Sequence, residues 1–233
     1  MLIGVLVSGS AHASLINRGG GLIYDNVMNI TWLQDANYAK TSGYDTDGRM
    51  TWNQSMIWAA NLSYRDSVRG VTYDDWRLPA MTDIFTSGCT FSYYNSDCGF
   101  NMNPAYSEMA HIFSVDFANK SAYNKNGLTQ TGYGLVDDPS NPNDESLFKN
   151  LMPDAYWIGK MGSSVRKTAW YFATSTGFQF NDDMDAQIYA WAVRPGDIAA
   201  IETAPISEPG SIALLGLALA GLAASKRKRL ATN

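Results

Sequence analysis

Tyr156-Trp157-Ile158, Ala169-Trp170-Tyr171-Phe172-Ala173-Thr174, Phe178-Gln179-Phe180 and Ile188-Tyr189-Ala190-Trp191-Ala192-Val193 decide the fold class of this 233-residue chain. The runs are short and rich in aromatic residues, and turn residues lie between them, notably Thr176-Gly177 and Asp182-Asp183. Runs of this kind read as strands. Side chains alternate across a strand, so Trp170 and Phe172 share one face while Tyr171 points the other way. Tyr189 and Trp191 share a face for the same reason. Most of these rings belong to the core, because a domain of this size needs large side chains to fill it.

Working upstream, the chain offers helices as well as strands. Leu22-Ile23-Tyr24 reads as a strand, Asp25-Asn26 as a turn, and Ile30-Thr31-Trp32-Leu33 as a second strand. Thr51-Trp52-Asn53-Gln54 has the form of a capping box, with Thr51 as the cap and Gln54 reaching back. Trp52, Met56, Ala59 and Ala60 follow at helical spacing, which predicts an amphipathic helix from Thr51 to about Tyr64. Asp74-Asp75-Trp76-Arg77-Leu78-Pro79 is compact, and Pro79 ends any extended segment there. A short helix capped by Thr82 is expected next, then a loop holding both cysteines. Asn103-Pro104 starts a second helix, with Met109, Ile112, Phe113 and Phe117 along one face. Residues 120–150 are polar and rich in Gly, Asn, Asp and Pro, so they read as a long surface loop. The fold class expected is α+β, with two main helices and a small, mostly antiparallel sheet.

The two ends read as handling signals. Met1 to Val7 is apolar, and Ala11-His12-Ala13 before Ser14 fits the cleavage pattern of a secretory signal peptide over residues 1–13. No charged region precedes the apolar run, which points to a start further upstream or a trimmed coding sequence. Residues 14–198 form the domain and 199–206 a linker. Ser207-Glu208-Pro209 then precedes an apolar helix over residues 212–224 and the basic cluster Lys226 to Arg229. This arrangement resembles the PEP-CTERM sorting signal, over residues 207–229, with serine in place of the first proline of Pro-Glu-Pro. The resemblance implies an exosortase as partner and an exported protein. It places the protein at the outer cell surface or in the extracellular matrix, held transiently in the inner membrane by the C-terminal helix. The alternative is an ordinary anchor that is never cut.

The chain has 17 Lys and Arg against 22 Asp and Glu. Four of those basic residues and one acid fall in the tail, so residues 1–206 hold 13 against 21, a net charge of −8. Such a surface repels nucleic acid and leaves neutral sugars and cations as partners. Cys89 and Cys98 are the only cysteines. Outside the cytoplasm they are expected to form a disulfide around Thr90 to Asp97, since zinc would require further soft ligands nearby.

Thr31-Trp32 with Asp35-Ala36, the helix at Trp52, Asp75-Trp76-Arg77-Leu78-Pro79, Tyr156-Trp157, Ala169-Trp170 and Tyr189-Ala190-Trp191-Ala192-Val193-Arg194 together resemble the legionella collagen-like protein C-terminal domain family. That resemblance implies a C-type-lectin-like fold and surface adhesion or glycan binding. The acidic balance departs from the basic face that sulfated polysaccharides need, so that preference is not carried over.

Chemistry is sparse. His111 is the only histidine once the signal peptide is removed, and it lies on a packing helix, which favours a structural role over catalysis. The pairs Asp74-Asp75, Asp137-Asp138 and Asp182-Asp183 read as turn residues. No spacing marks two carboxylates out for glycosidase work. Asp45-Thr46-Asp47-Gly48 has the oxygen pattern of a calcium loop but lacks the acid that an EF-hand places at its twelfth position. Asp182, Asp183 and Asp185 form a second candidate calcium cluster, with no other cofactor expected. Sugar rings stack on aromatic faces, and Tyr93, Tyr94 and Tyr171 are the candidates for that contact. Arg77 and Arg194 read as braces paired with carboxylates. The function expected is non-catalytic binding or organisation of extracellular polysaccharide. The alternatives are an enzyme acting on that polymer through paired carboxylates and a matrix protein without a specific ligand.

Overall fold

A computed structural model describes residues 15–85, 89, 96–136 and 145–198. Three sheets dominate it. Strands β1 (Leu15–Gly19), β2 (Leu22–Asp25) and β3 (Ile30–Leu33) form an antiparallel meander, and β12 (Val193–Pro195) closes that sheet against β3. The second sheet runs β4-β11-β8-β9-β10-β7, from β4 (Arg49–Met50), β11 (Ile188–Tyr189), β8 (Ala155–Ser163), β9 (Thr168–Ala173), β10 (Phe178–Asp183) and β7 (Gly99–Phe100). Its one parallel pair is β11 with β8. A small hairpin of β5 (Tyr64–Asp66) and β6 (Val71–Tyr73) completes the set.

This architecture corrects the α+β, lectin-like expectation of two main helices. Helix α1 (Tyr38–Thr41) is a single turn, and α2 (Trp52–Ala60) is the longest helix among the described residues. The capping box of α2 forms in full: Gln54 N donates to Thr51 Oγ1 at 3.3 Å and Thr51 N donates to Gln54 Oε1 at 2.9 Å. The helix ends at Asn61, and Tyr64 already belongs to β5.

The second expected helix is broken into three pieces. A 3-10 turn at Pro104–Tyr106, the short α3 (Glu108–His111) and a π-helical turn at Ile112–Asp116 follow one another. The break lies at Ser107, whose backbone is extended at φ −148° and ψ 123°. Tertiary bonds hold it there: Ser107 Oγ donates to Gln179 Oε1 at 2.7 Å, and Glu108 N donates to the Ala80 carbonyl at 3.0 Å. Met81 likewise bridges to Ser107 instead of opening a helix at Thr82. Residues 120–136 also depart from a plain surface loop. Ser121 and Ala122 are buried, and Ala122 N bonds to the Thr176 carbonyl at 2.8 Å.

The run Ile188 to Val193 divides between sheets, with Ile188-Tyr189 in one and Val193 in the other. Trp191 sits at the crossing, in the core cluster that the two sheets share. Its ring lies 4.5 Å from Trp32 and 4.9 Å from Phe148, and its Nε1 donates to the Leu33 carbonyl at 2.7 Å. Trp157 and Trp52 are satisfied in the same way by Met50 O and Ile158 O. A buried indole with its N–H bonded adds apolar burial without the penalty of an orphaned donor.

Arg77 and Arg194 are braces, as their sequence context suggests. Arg77 grips Glu108 through two bonds of 2.7 Å, and Arg194 grips Asp75 at 2.7 and 2.9 Å while lying over the Tyr73 ring. Arg18 pairs with Asp197, and Arg49 with Asp154.

Candidate ligand site

The expected site residues fall in different places. Tyr93 and Tyr94 lie outside the described residues. Tyr171 on β9 is half-buried, between its register partners Trp157 and Phe180. Burial raises the pKa of its hydroxyl, and the charge of Asp182 adds to the shift. Asp182, Asp183 and Asp185 are exposed, and two of their carboxylates accept from the next turn's backbone N–H groups. The Asp45 and Asp47 carboxylates also fold back, onto the N–H groups of Asp47, Gly48 and Arg49. The Cys89–Cys98 disulfide is present.

The disulfide pins the approach to a cavity. Cys98 leads through β7 to Asn101, whose left-handed backbone at φ +54° is one that asparagine tolerates. Asn101 and Met102 form one wall of a cavity of about 340 Å³. Ala110, Phe113 and Ser114 of the broken helix, together with Phe172 of β9, contribute another. The segment from Asn119 to Gln130 closes it. The volume is at the lower end of the roughly 300–1,000 Å³ range of ligand sites.

Four side-chain amides line this space, each tied to backbone at one end. Asn101 Nδ2 donates to the Tyr123 carbonyl and Gln130 Nε2 to the Ser121 carbonyl, both at 2.8 Å. Asn119 Oδ1 accepts from Val136 N, and Asn124 Oδ1 accepts from Asn126 N and Leu128 N. The opposite ends remain: two amide oxygens from Asn101 and Gln130, and two NH₂ groups from Asn119 and Asn124. Asn119 Nδ2 is buried without a partner. The arrangement offers fixed acceptors and donors beside the apolar surfaces of Phe113, Phe172 and Met102.

On the other side of the broken helix lies a second cluster that the sequence did not single out. Asp25, His111 and Asp116 are 0, 6 and 2% exposed, and one donor atom from each lies within 4.8 Å of the others. Burial pushes the Asp116 carboxyl up to about 8, reinforced by the charge of Asp25. Burial also raises Asp25 and lowers His111. His111 Nε2 and Asp116 Oδ2 lie 3.7 Å apart, and burial disfavours the charged form of both groups. No sequence window contains the cluster, because Asp25 reaches it from β2. The spacing of His111 and Asp116 becomes meaningful only in a π-helical turn.

Comparison with known families finds a PEP-CTERM protein-sorting motif at residues 205–228. No curated protein and no solved structure matches the chain. The likeness to the legionella collagen-like family receives no support from these comparisons. The motif marks an exported protein, directed to the cell surface and sorted by an exosortase. The motif, the apolar run 212–224 and the leader 1–13 lie outside the described residues. Among the described residues, no helix is long and apolar enough to cross a membrane.

Proposed function

We propose that this exported domain binds extracellular polysaccharide without cleaving it, and that the amide-lined cavity is where a sugar residue sits. The observation that carries this reading is the set of four anchored amides around Phe113 and Phe172. A sugar presents hydroxyls that both donate and accept, next to apolar C–H faces. Two acceptor ends and two donor ends, held rigid by backbone, match that chemistry at little ordering cost. Lys120 and Lys125 also line the site. Among the described residues, the cavity lining contains no Asp or Glu, whereas glycoside hydrolysis takes a carboxylate pair. The contacts described require no cofactor.

The experiment is calorimetric titration of the protein with oligosaccharides cut from the host's own extracellular polysaccharide. Ser114→Trp is the informative variant. Ser114 lines the cavity, and among the described residues its hydroxyl bonds to the Ala110 carbonyl alone. The indole fills the space at small structural cost, so affinity should fall at least tenfold with the melting temperature unchanged. Equal binding by the variant refutes the site. Release of reducing ends during the titration refutes the non-catalytic reading.

A further inference from the structure

The π-helical turn at Ile112–Asp116 has a geometric consequence. In an α-helix, residues five apart sit about 140° apart around the axis. The wider π-turn, marked by the bond from Phe117 N to the Ile112 carbonyl, draws such residues towards one side. It brings Asp116 Oδ2 within 3.7 Å of His111 Nε2. Asp25 completes the group from the end of β2. Its Oδ1 accepts from Val27 N and Met28 N, both at 2.9 Å, while its Oδ2 is buried without a partner. His111 Nε2 is also buried without a hydrogen-bond partner. A buried carboxylate oxygen and a buried imidazole nitrogen without partners, in a cluster whose donor atoms lie within 4.8 Å of one another, carry a desolvation cost that a cation would remove.

We propose that Asp25, His111 and Asp116 bind one divalent first-row ion, of the zinc or manganese class, which clamps β2 to the π-turn. One imidazole nitrogen with two carboxylate oxygens is a donor set for such ions, whereas calcium and magnesium prefer oxygen alone. The 3.7 Å edge is close to the roughly 3.4 Å edge of a tetrahedron with bonds of about 2.1 Å, and the edges to Asp25, within 4.8 Å, must shorten to seat the ion. Glu108, whose charge Asp25 also feels, is already held by Arg77 and is no ligand. The clamp ties the meander sheet to the helical segment that also lines the cavity.

The test uses the full chain in detergent, stripped with a chelator and titrated separately with Zn²⁺, Mn²⁺ and Ca²⁺. One equivalent of Zn²⁺ or Mn²⁺ should survive desalting. The melting temperature should rise by about 5–10 °C at a hundredfold excess over Kd. Asp116→Asn and His111→Gln should abolish retention, and Asp182→Asn/Asp183→Asn should leave it intact. The chain has two histidines, His12 and His111, so imidazole ¹⁵N NMR with Zn²⁺ reads His111 directly in the unmutated protein. Uptake of no ion, uptake of Ca²⁺ alone, an unshifted His111 with Zn²⁺ bound, or full retention by a folded Asp116→Asn protein each overturns the proposal.

Discussion

Replacing Arg77 with methionine removes the charged half of the brace between the segment after β6 and α3. Glu108 is 10% exposed at its side chain and accepts three bonds, two from Arg77 and one from Ala80 N, all of 2.7 Å. Hydrogen bonds to charged groups contribute about 1.5–3 kcal/mol each. The Arg77 side chain is 37% exposed, so water already screens part of its interaction, and the lower end applies. Arg77→Met should therefore cost about 3 kcal/mol, most of it the penalty of leaving Glu108 buried with a single donor. Glu108→Gln should cost less, because the amide oxygen still accepts from Ala80 N. The double variant should recover about 1–2 kcal/mol of the summed losses, since neither partner is then an unanswered charge. Urea unfolding of the four proteins at one pH supplies the cycle, provided the slopes agree. A loss below about 1 kcal/mol for Arg77→Met, the size found for exposed pairs, with no coupling between the sites, refutes the reasoning.

Three further outcomes follow from local geometry. Replacing both Cys89 and Cys98 with alanine reopens a loop with a sequence separation of 9, which the chain-entropy relation puts at about 2.7 kcal/mol. Thermal melting should show a fall of about 5–10 °C, and an unchanged melt on reduction would refute the estimate. Ala118 ends the broken helix with φ +57°, so Ala118→Gly should stabilise the domain by about 0.5–1 kcal/mol, read by urea unfolding. Thr51→Ala removes the acceptor of the capping box and should cost about 1 kcal/mol in the same assay, with Thr51→Ser recovering most of it.

What was legible in the sequence was local or paired by chemistry. Thr51 and Gln54 lie one helical turn apart, so their capping box can be read without knowing the fold. The two cysteines had only each other, and Arg77 and Arg194 had to meet acids once placed near the core. The strands at β2, β3, β8, β9 and β10 announce themselves through aromatic and branched residues. The second helix was misread because its apolar spacing is real, yet Ser107 is pulled out of line by Gln179, 72 residues away. The run Ile188 to Val193 looked like one strand because every residue in it is buried. Burial on all sides hides the place where a chain leaves one sheet for another. Tyr171 followed the alternation rule, but β10 alongside brings Phe180 against it and leaves it half-buried.

The candidate chemistry gathers on the segment after Ser107. Met109, Ile112, Phe113 and Phe117 are all buried in the core, as the apolar spacing expects. Ala110, Phe113 and Ser114 share a face at ordinary helical spacing, and the π-turn at Ile112–Asp116 adds a second grouping. Ala110, Phe113 and Ser114 come to face the cavity, while His111 and Asp116 turn towards Asp25 on β2. Each side is then tied to a different sheet: the cavity wall to β9 through Phe172, and the buried cluster to the meander through Asp25. A nine-residue stretch, Glu108 to Asp116, thus lines the cavity on one face, and the π-turn that periodicity does not foresee brings His111 and Asp116 together on another.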